Sequence, residues 1–157
     1  MSEDAGLILP SGEGRHLDFL GNRLTIKVAA QQSQGALAVF EIAFPPAPAQ
    51  GPPLHTHPHH EVFFVLEGEP TFQLGERLVQ APAGTLLFAP GGIAHTLTNR
   101  RPRPARVLAF ISPGGYERLF EEVSALQRSG PLSPEQFREV AGRYGQRVLG
   151  PPLPPEG

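Results

Sequence analysis

No cysteine occurs among the 157 residues of the chain, and this absence narrows the possible chemistry. Disulfide bonds, thiol catalysis and zinc or iron–sulfur sites with cysteine ligands are excluded. Any metal site must therefore be built from histidine and carboxylate side chains. The chain offers 6 histidines and 15 aspartates and glutamates for that purpose.

Strong net charge and long apolar segments are also absent. The formal net charge is −2 and charged residues make up 18% of the chain, which does not favour a nucleic acid or an anionic membrane as partner. No apolar run approaches the roughly 20 residues that a membrane helix needs. The first residues, 1–6, lack the basic and apolar regions of a signal peptide, so a cytoplasmic location is expected.

Glycine and proline, by contrast, are abundant, with 18 and 19 residues. They lie at the boundaries of short segments rather than in a repeat, which is typical of many short strands joined by turns. The segment 36–44 is apolar apart from Glu41, which indicates a strand covered on both faces. A single all-β domain is the simplest organisation. Its predicted strands are residues 24–28, 36–44, 61–66, 71–74, 77–80, 85–89, 94–99 and 106–111.

The hydrophobic period changes after residue 112. Apolar residues now recur at helical spacing with charges between them, at Tyr116, Leu119, Phe120, Val123 and Leu126. A second helix is predicted after Ser133, because a capping residue, a proline and the capping-box residue Gln136 follow one another there. Two short α-helices are too few for an independent domain. We therefore expect residues 113–149 to pack against the strands or a partner subunit, followed by a flexible tail at 150–157.

Side chains that bind metals are concentrated in His55-Thr56-His57-Pro58-His59-His60-Glu61. In an extended strand, side chains alternate between two faces, so His55, His57 and Glu61 fall on the same face. Together with His95, further along the chain, they supply three imidazoles and one carboxylate that can converge on one metal ion. This donor set suits a divalent transition metal ion, namely Fe²⁺, Mn²⁺, Ni²⁺, Co²⁺, Cu²⁺ or Zn²⁺.

Two stretches around these residues resemble the paired motifs of the cupin superfamily. The first motif combines a glycine, His-x-His, a glutamate and a second glycine, here Gly51, His55, His57, Glu61 and Gly68. The second combines a glycine, Pro-x-Gly, a histidine and an asparagine, here at every expected spacing in Gly84, Pro90, Gly92, His95 and Asn99. One departure is visible, because fewer residues separate Gly51 from His55 than in the family pattern.

The resemblance implies a double-stranded β-helix, or jelly-roll cupin barrel, formed by residues 1–112 with the core motifs at 51–99. It implies a metal ion inside the mouth of the barrel and a small-molecule ligand beside it. Val62, Phe64 and Leu66 would then face outward although they are apolar, so an N-terminal strand or a second subunit must cover them. A homodimer is therefore expected, and dimers are common among cupins.

Within the superfamily, the chain is similar to the small quercetin-dioxygenase-like cupins, around residues 52–57 and 63–69 and again at 141–145 and 149–152. The resemblance implies a metal-dependent dioxygenase that cleaves a small hydroxylated aromatic or enol substrate. Glu61 would be both a metal ligand and the proton acceptor. Two alternatives stay open: a metal-dependent isomerase or epimerase, which needs no oxygen, and a non-catalytic cupin that binds a small metabolite.

The other polar residues near the motifs are weaker candidates for the site. His59 has the same strand parity as the proposed ligands but follows Pro58 in a turn, so solvent exposure is preferred over a role as an extra ligand. His60 points to the opposite face, and Asn99 is expected to hold the turn at the end of its strand. The run Arg100–Arg103 could steer an anionic ligand, but a solvated loop is the simpler interpretation.

Overall fold

Short segments of alternating buried and exposed residues form eleven antiparallel strands in residues 6–156, the part of the chain that the computed structural model describes. In chain order these are β1 (Arg15–Phe19), β2 (Asn22–Val28), β3 (Ala38–Phe44), β4 (Leu54–Thr56), β5 (His60–Glu67), β6 (Thr71–Leu74), β7 (Arg77–Gln80), β8 (Leu86–Ala89), β9 (His95–Thr98), β10 (Ala105–Ser112) and β11 (Arg147–Gly150). Residues 1–5, on which most of the signal-peptide prediction rests, and the last residue of the predicted tail lie outside the described residues.

The strands are divided between two sheets that share one hydrophobic core. The larger sheet has the order β1-β2-β3-β10-β5-β8, and the smaller has the order β11-β4-β9-β6-β7. Strand β3 shows why the sheet has an inner and an outer face: Phe40 and Ile42 are buried, whereas Glu41 between them is only half-buried. The fold is the all-β jelly roll, with two short helices, that the sequence predicts.

Strand β11 was not predicted from the sequence. It pairs with β4 at the edge of the smaller sheet, so that Val148 lies opposite His55. The pairing extends to Gly150, the first residue of the segment predicted to be a flexible tail, and the backbone N–H of Leu54 donates to the carbonyl of Pro151. Strand β1, which pairs with β2 at the far edge of the larger sheet, lies in the region from about residue 7 where N-terminal strands were expected without bounds.

Helices α1 (Arg118–Gln127) and α2 (Pro134–Arg143) follow the strands. The predicted capping box is present, since Ser133 Oγ accepts from Gln136 N at 3.1 Å and Ser133 N donates to Gln136 Oε1 at 2.9 Å. Helix α1 packs on the barrel through Phe120, whose ring centroid lies 4.9 Å from that of Phe19 and 4.8 Å from that of Phe40. Neither these helices nor any other helix in residues 6–156 is long and apolar enough to cross a membrane.

Two glycines let the backbone approach itself closely around the buried histidines. A Cβ atom on Gly51 would lie 2.0 Å from the carbonyl oxygen of Leu97, and one on Gly91 would lie 2.3 Å from that of Pro58. Both distances are too short for any side chain, so these contacts require glycine. The shortened spacing after Gly51 therefore does not change its function, which is to let the chain before β4 pass against β9.

Candidate metal centre

The two sheets bring His55, His57, Glu61 and His95 together at one point inside the barrel. His55 of β4 lies directly opposite His95 of β9 in the smaller sheet. Glu61 comes from β5 of the larger sheet, and His57 lies in the connection between β4 and β5. All four side chains are buried, with at most 4% of any residue exposed. Alternation along the strand predicted one shared face for His55, His57 and Glu61, and the pairing of His55 with His95 adds the fourth side chain to that face.

Backbone carbonyl groups hold each imidazole by its Nδ1 atom. The Nδ1–H groups donate to Pro53 O from His55 at 2.7 Å, to Ile93 O from His95 at 3.0 Å and to His59 O from His57 at 3.1 Å. Because a carbonyl oxygen only accepts, the proton of each neutral ring must be on Nδ1. This leaves the lone pair on Nε2, which is the tautomer that binds a metal ion.

The three rings and the carboxylate converge closely. Glu61 Oε1 lies 3.1 Å from His57 Nε2 and 3.3 Å from His95 Nε2. The ring centroid of His95 is 4.5 Å from that of His55 and 4.8 Å from that of His57. His95 Nε2 is buried and has no hydrogen-bond partner within the described residues. Three buried histidines are thus positioned to bind a metal ion.

The donor set fits a cation at this point for an electrostatic reason. With the protons on Nδ1, two Nε2 lone pairs face the carboxylate oxygen of Glu61, so this contact is favourable only when a ring carries a second proton on Nε2 or a metal ion lies between the atoms. Burial by itself would raise the pKa of Glu61, but contact with His57 and His95 outweighs burial and lowers that pKa to about 2. The carboxylate is therefore ionised at neutral pH. A divalent ion bound by the three histidines would supply a positive charge beside Glu61.

Burial and the neighbouring rings also change the titration of the histidines. Burial, followed by repulsion from His95, lowers the pKa of His55 from 6.5 to about 3. Burial opposes protonation of His95 too, but the Glu61 carboxylate outweighs it and raises the pKa of His95 above its ordinary value. At neutral pH the His55 ring is thus neutral, with its Nε2 lone pair free for a metal ion, whereas a proton would compete with a metal ion at His95.

A small apolar cavity of about 30 Å³ adjoins the histidines. Phe19, Phe40, Ile42, Phe63, Leu97 and Phe120 form its apolar walls. Two polar residues of the C-terminal segment, Tyr116 and Gln146, also line it. Tyr116 packs its ring on His57, with centroids 4.6 Å apart, and burial raises the pKa of its hydroxyl well above 10.

Sequence reasoning did not single out Tyr116 and Gln146 as site residues. Tyr116 was predicted as part of the apolar face of α1, but it lies just before that helix, which begins at Arg118. Gln146 lies between α2 and β11, in a segment without a motif. The one signal available was that Tyr116 is one of only 2 tyrosines in the chain.

The remaining residues singled out in the sequence lie outside the histidine cluster. His59 is half-buried rather than exposed, and its Nδ1–H donates to Pro113 O at 2.8 Å. His60 is exposed and accepts from the N–H of Gly91 at 2.9 Å. Asn99 holds the turn as predicted, since its amide group donates to the carbonyls of Pro45 and Arg103.

We expect the free energy of unfolding of the metal-free protein to fall as the pH drops from 6.5 to 4.5. In this window the unfolded chain binds a proton at His55 that the folded chain, with a pKa of about 3 there, does not bind. Stability therefore rises with pH by up to about 1.4 kcal/mol per pH unit. The ionised Glu61 carboxylate adds stability that is fully present above its ordinary pKa of 4.5 and is lost as the pH falls below that value. His95, whose pKa is raised, contributes stability that is lost above pH 6.5.

Urea unfolding of chelator-treated protein across this pH range measures the slope. The His55→Gln variant should show a flatter slope than the wild type, whereas the His60→Gln variant, altered at an exposed histidine, should keep the wild-type slope. Equal slopes for the wild type and His55→Gln would contradict this account of His55.

Comparison with known proteins agrees with this architecture. Residues 42–111 match the family model of the cupin domain. The fold is similar to KdgF from Halomonas sp. (19% identity over 73% of this chain and 99% of that chain, TM-score 0.61). It is also similar to a predicted oxalate decarboxylase from Thermotoga maritima (20% identity over 68% of this chain and 99% of that chain, TM-score 0.60). An RmlC-like cupin from Shewanella frigidimarina is a third such structure (19% identity over 73% and 96%, TM-score 0.58).

These identities are low, so the structural likeness concerns the fold alone. None of the curated proteins matches the chain. The family match contains all four of His55, His57, Glu61 and His95, and it ends before helix α1. The chain therefore has the cupin fold, and its barrel holds three buried histidines positioned to bind a metal ion.

Proposed function

We propose that the protein is a metal-dependent dioxygenase acting on a small hydroxylated or enol substrate, with His55, His57, Glu61 and His95 as ligands of one divalent transition metal ion. The supporting observation is a set of three Nδ1-anchored imidazoles beside an apolar cavity. Two of them, His57 and His95, have their Nε2 atoms within 3.3 Å of the buried Glu61 carboxylate. A metal ion held there would supply Lewis-acid and redox chemistry toward the substrate and dioxygen.

Glu61 has a second role in this proposal, as the acceptor of the substrate's hydroxyl proton. Both of its close contacts with imidazole nitrogens use Oε1, which leaves Oε2 to take a proton. A carboxylate with a low pKa is a weak base, so it suits a substrate hydroxyl that is itself acidic, such as that of an enol or a phenol. A dioxygenase that cleaves a carbon–carbon bond of such a substrate transfers both atoms of dioxygen to the products and needs no separate reductant.

The cavity favours a small substrate without a phosphate group. None of the described residues that line it is a lysine or an arginine, so nothing there would neutralise a phosphate. Arg101, the central residue of the basic run, instead pairs with Glu69 and Glu156 at the surface. The volume of about 30 Å³ is far below what a flavonol would occupy. Apolar walls also exclude water from a reactive intermediate.

The proposed ligand set predicts the metal content of the purified protein. After reconstitution with Fe²⁺, Mn²⁺ or Ni²⁺, elemental analysis should find about one metal ion per wild-type chain, and the His95→Ala variant should lose most of it because one ligand is removed. The His60→Ala variant is the matched control, since His60 is exposed and outside the cluster, and should retain the wild-type content. Equal metal content in His95→Ala and wild type would show that the ligand assignment is wrong.

The proposed reaction predicts oxygen consumption that depends on substrate size. With the metal-loaded protein in an oxygen electrode, hydroxyacetone, which forms a small enediol, should support faster consumption than catechol, and catechol faster than quercetin. Chelation of the metal should abolish consumption. Turnover of the same compounds under strict anaerobiosis would refute the dioxygenase and favour a metal-dependent isomerase instead.

We also propose that the protein is a homodimer formed through the outer face of the larger sheet. Strand β5 places Val62 beside both Phe88 of β8 and Phe110 of β10, and places Phe64 beside Leu86 of β8. These neighbours are exposed, Phe88 by 49%, Leu86 by 61% and Phe110 by 40%. The described N-terminal strand does not cover them, because β1 lies at the opposite edge of the sheet. A continuous apolar patch of this kind favours a second copy of the chain as its cover.

Light scattering coupled to size-exclusion chromatography tests this dimer. The wild type should elute with about twice the chain mass of 16.9 kDa, and the Phe88→Asp variant should shift to one chain mass because a buried charge opposes association. Leu78→Asp is the control, since Leu78 is 56% exposed on the smaller sheet and should leave the dimer intact. A wild-type monomer, or loss of the dimer in the Leu78→Asp variant alone, would contradict this interface.

A further inference from the structure

Gln146 places a buried, unpaired hydrogen-bond donor in the wall of the cavity. Its side chain is 4% exposed and lines the same cavity as His55, Glu61 and His95. The amide nitrogen Nε2 has no hydrogen-bond partner among the residues of the described chain. Leaving a buried donor unpaired costs free energy, and such donors in a cavity wall are typical of sites that pair with a ligand.

The position and orientation of this amide are fixed by the surrounding structure. The hydroxyl of Tyr116 donates to Gln146 Oε1 at 2.5 Å, so the amide turns its Nε2 away from Tyr116. Tyr116 is in turn packed between the rings of His57 and Phe120, at centroid distances of 4.6 and 5.5 Å. The backbone N–H of Gln146 donates to the carbonyl of Ala141 at the end of α2. A donor held this firmly is already oriented before a ligand arrives.

From this arrangement we infer that Gln146 is a substrate-binding residue whose Nε2–H donates to a carbonyl or carboxylate oxygen of the ligand. Tyr116 is the positioning residue that holds the amide. The inference rests on the proposed function for the second contact of the ligand, a hydroxyl or enolate oxygen at the histidine cluster. The two contacts together select a small molecule with a hydroxyl or enol group next to a carbonyl, that is, a hydroxycarbonyl compound.

The two residues with these roles both lie in the C-terminal segment of the chain. Tyr116 and Gln146 are both outside residues 42–111, the part that matches the cupin domain. The histidine cluster lies within that part, whereas the hydrogen-bond donor proposed to bind the ligand lies in the segment after it. Strand β11 connects the two, because it begins directly after Gln146 and pairs Val148 with His55.

Two probes that differ in a single functional group test this inference. Hydroxyacetone and 1,2-propanediol have the same number of heavy atoms, but only hydroxyacetone has a carbonyl oxygen. Calorimetric titration of the metal-loaded wild type under anaerobic conditions should show about tenfold tighter binding of hydroxyacetone, as expected for one added hydrogen bond to a buried donor. In the Gln146→Leu variant the ratio of the dissociation constants of the two probes should fall to about one. The metal content should be unchanged.

A second variant covers the possibility that Gln146→Leu folds poorly. Tyr116→Phe keeps the ring on His57 but removes the hydroxyl that holds the amide, so the preference should shrink several-fold while metal content stays the same. A wild type that binds neither probe, or shows no preference, would overturn the inference, and so would a preference that survives in both variants. In these cases the amide pairs with water or serves packing only.

The same measurements separate this inference from the proposed dioxygenase activity. A preference that depends on Gln146 without any oxygen consumption would leave the binding role of Gln146 intact and remove the dioxygenase. Oxygen consumption at equal rates in the wild type and the Gln146→Leu variant at low hydroxyacetone concentration would support the dioxygenase and contradict the binding role of Gln146.

Discussion

A buried, ionised carboxylate in contact with two imidazole rings is the constraint on which the rest of this structure depends. Glu61 is buried and its pKa is lowered to about 2, so it carries a charge that the barrel interior cannot solvate. The surrounding rings are held by backbone carbonyls with their lone pairs inward. This combination needs a positive charge beside the carboxylate, which a proton on His95 or a metal ion can supply, and the three convergent histidines are positioned to bind the metal ion.

The placement of these groups follows from antiparallel pairing across the two sheets. The cross-strand pair of His55 and His95 fixes two rings in the smaller sheet, and Glu61 meets them from the larger sheet. Glycine at positions 51 and 91 lets neighbouring backbone segments approach closely enough for this meeting. The same alternation of faces that turns Glu61 inward turns Val62 outward, so strand β5 serves the buried site and the apolar outer patch together.

In the proposed function, ligand selectivity and metal binding depend on different parts of the chain. The matched cupin segment supplies the histidines, whereas Tyr116 and Gln146 close the cavity from the C-terminal segment. Helix α1 packs Phe120 on Phe19 and Phe40, and this contact holds Tyr116 against His57. One fold can therefore keep the metal-binding residues while the segment after the barrel changes the ligand.

The sequence by itself determined the strand series, the capped second helix and the grouping of His55, His57 and Glu61, because each depends on local periodicity or on residues a few positions apart. The second motif added His95. Strand β11 was missed because its proline-rich surroundings lack a strand pattern and its partner, β4, lies far away in the chain. Only the tertiary structure decided that His59 turns to Pro113, and that Gln146 and Tyr116 meet the histidines. Contacts between distant segments depend on how the whole chain packs, and no local period records them.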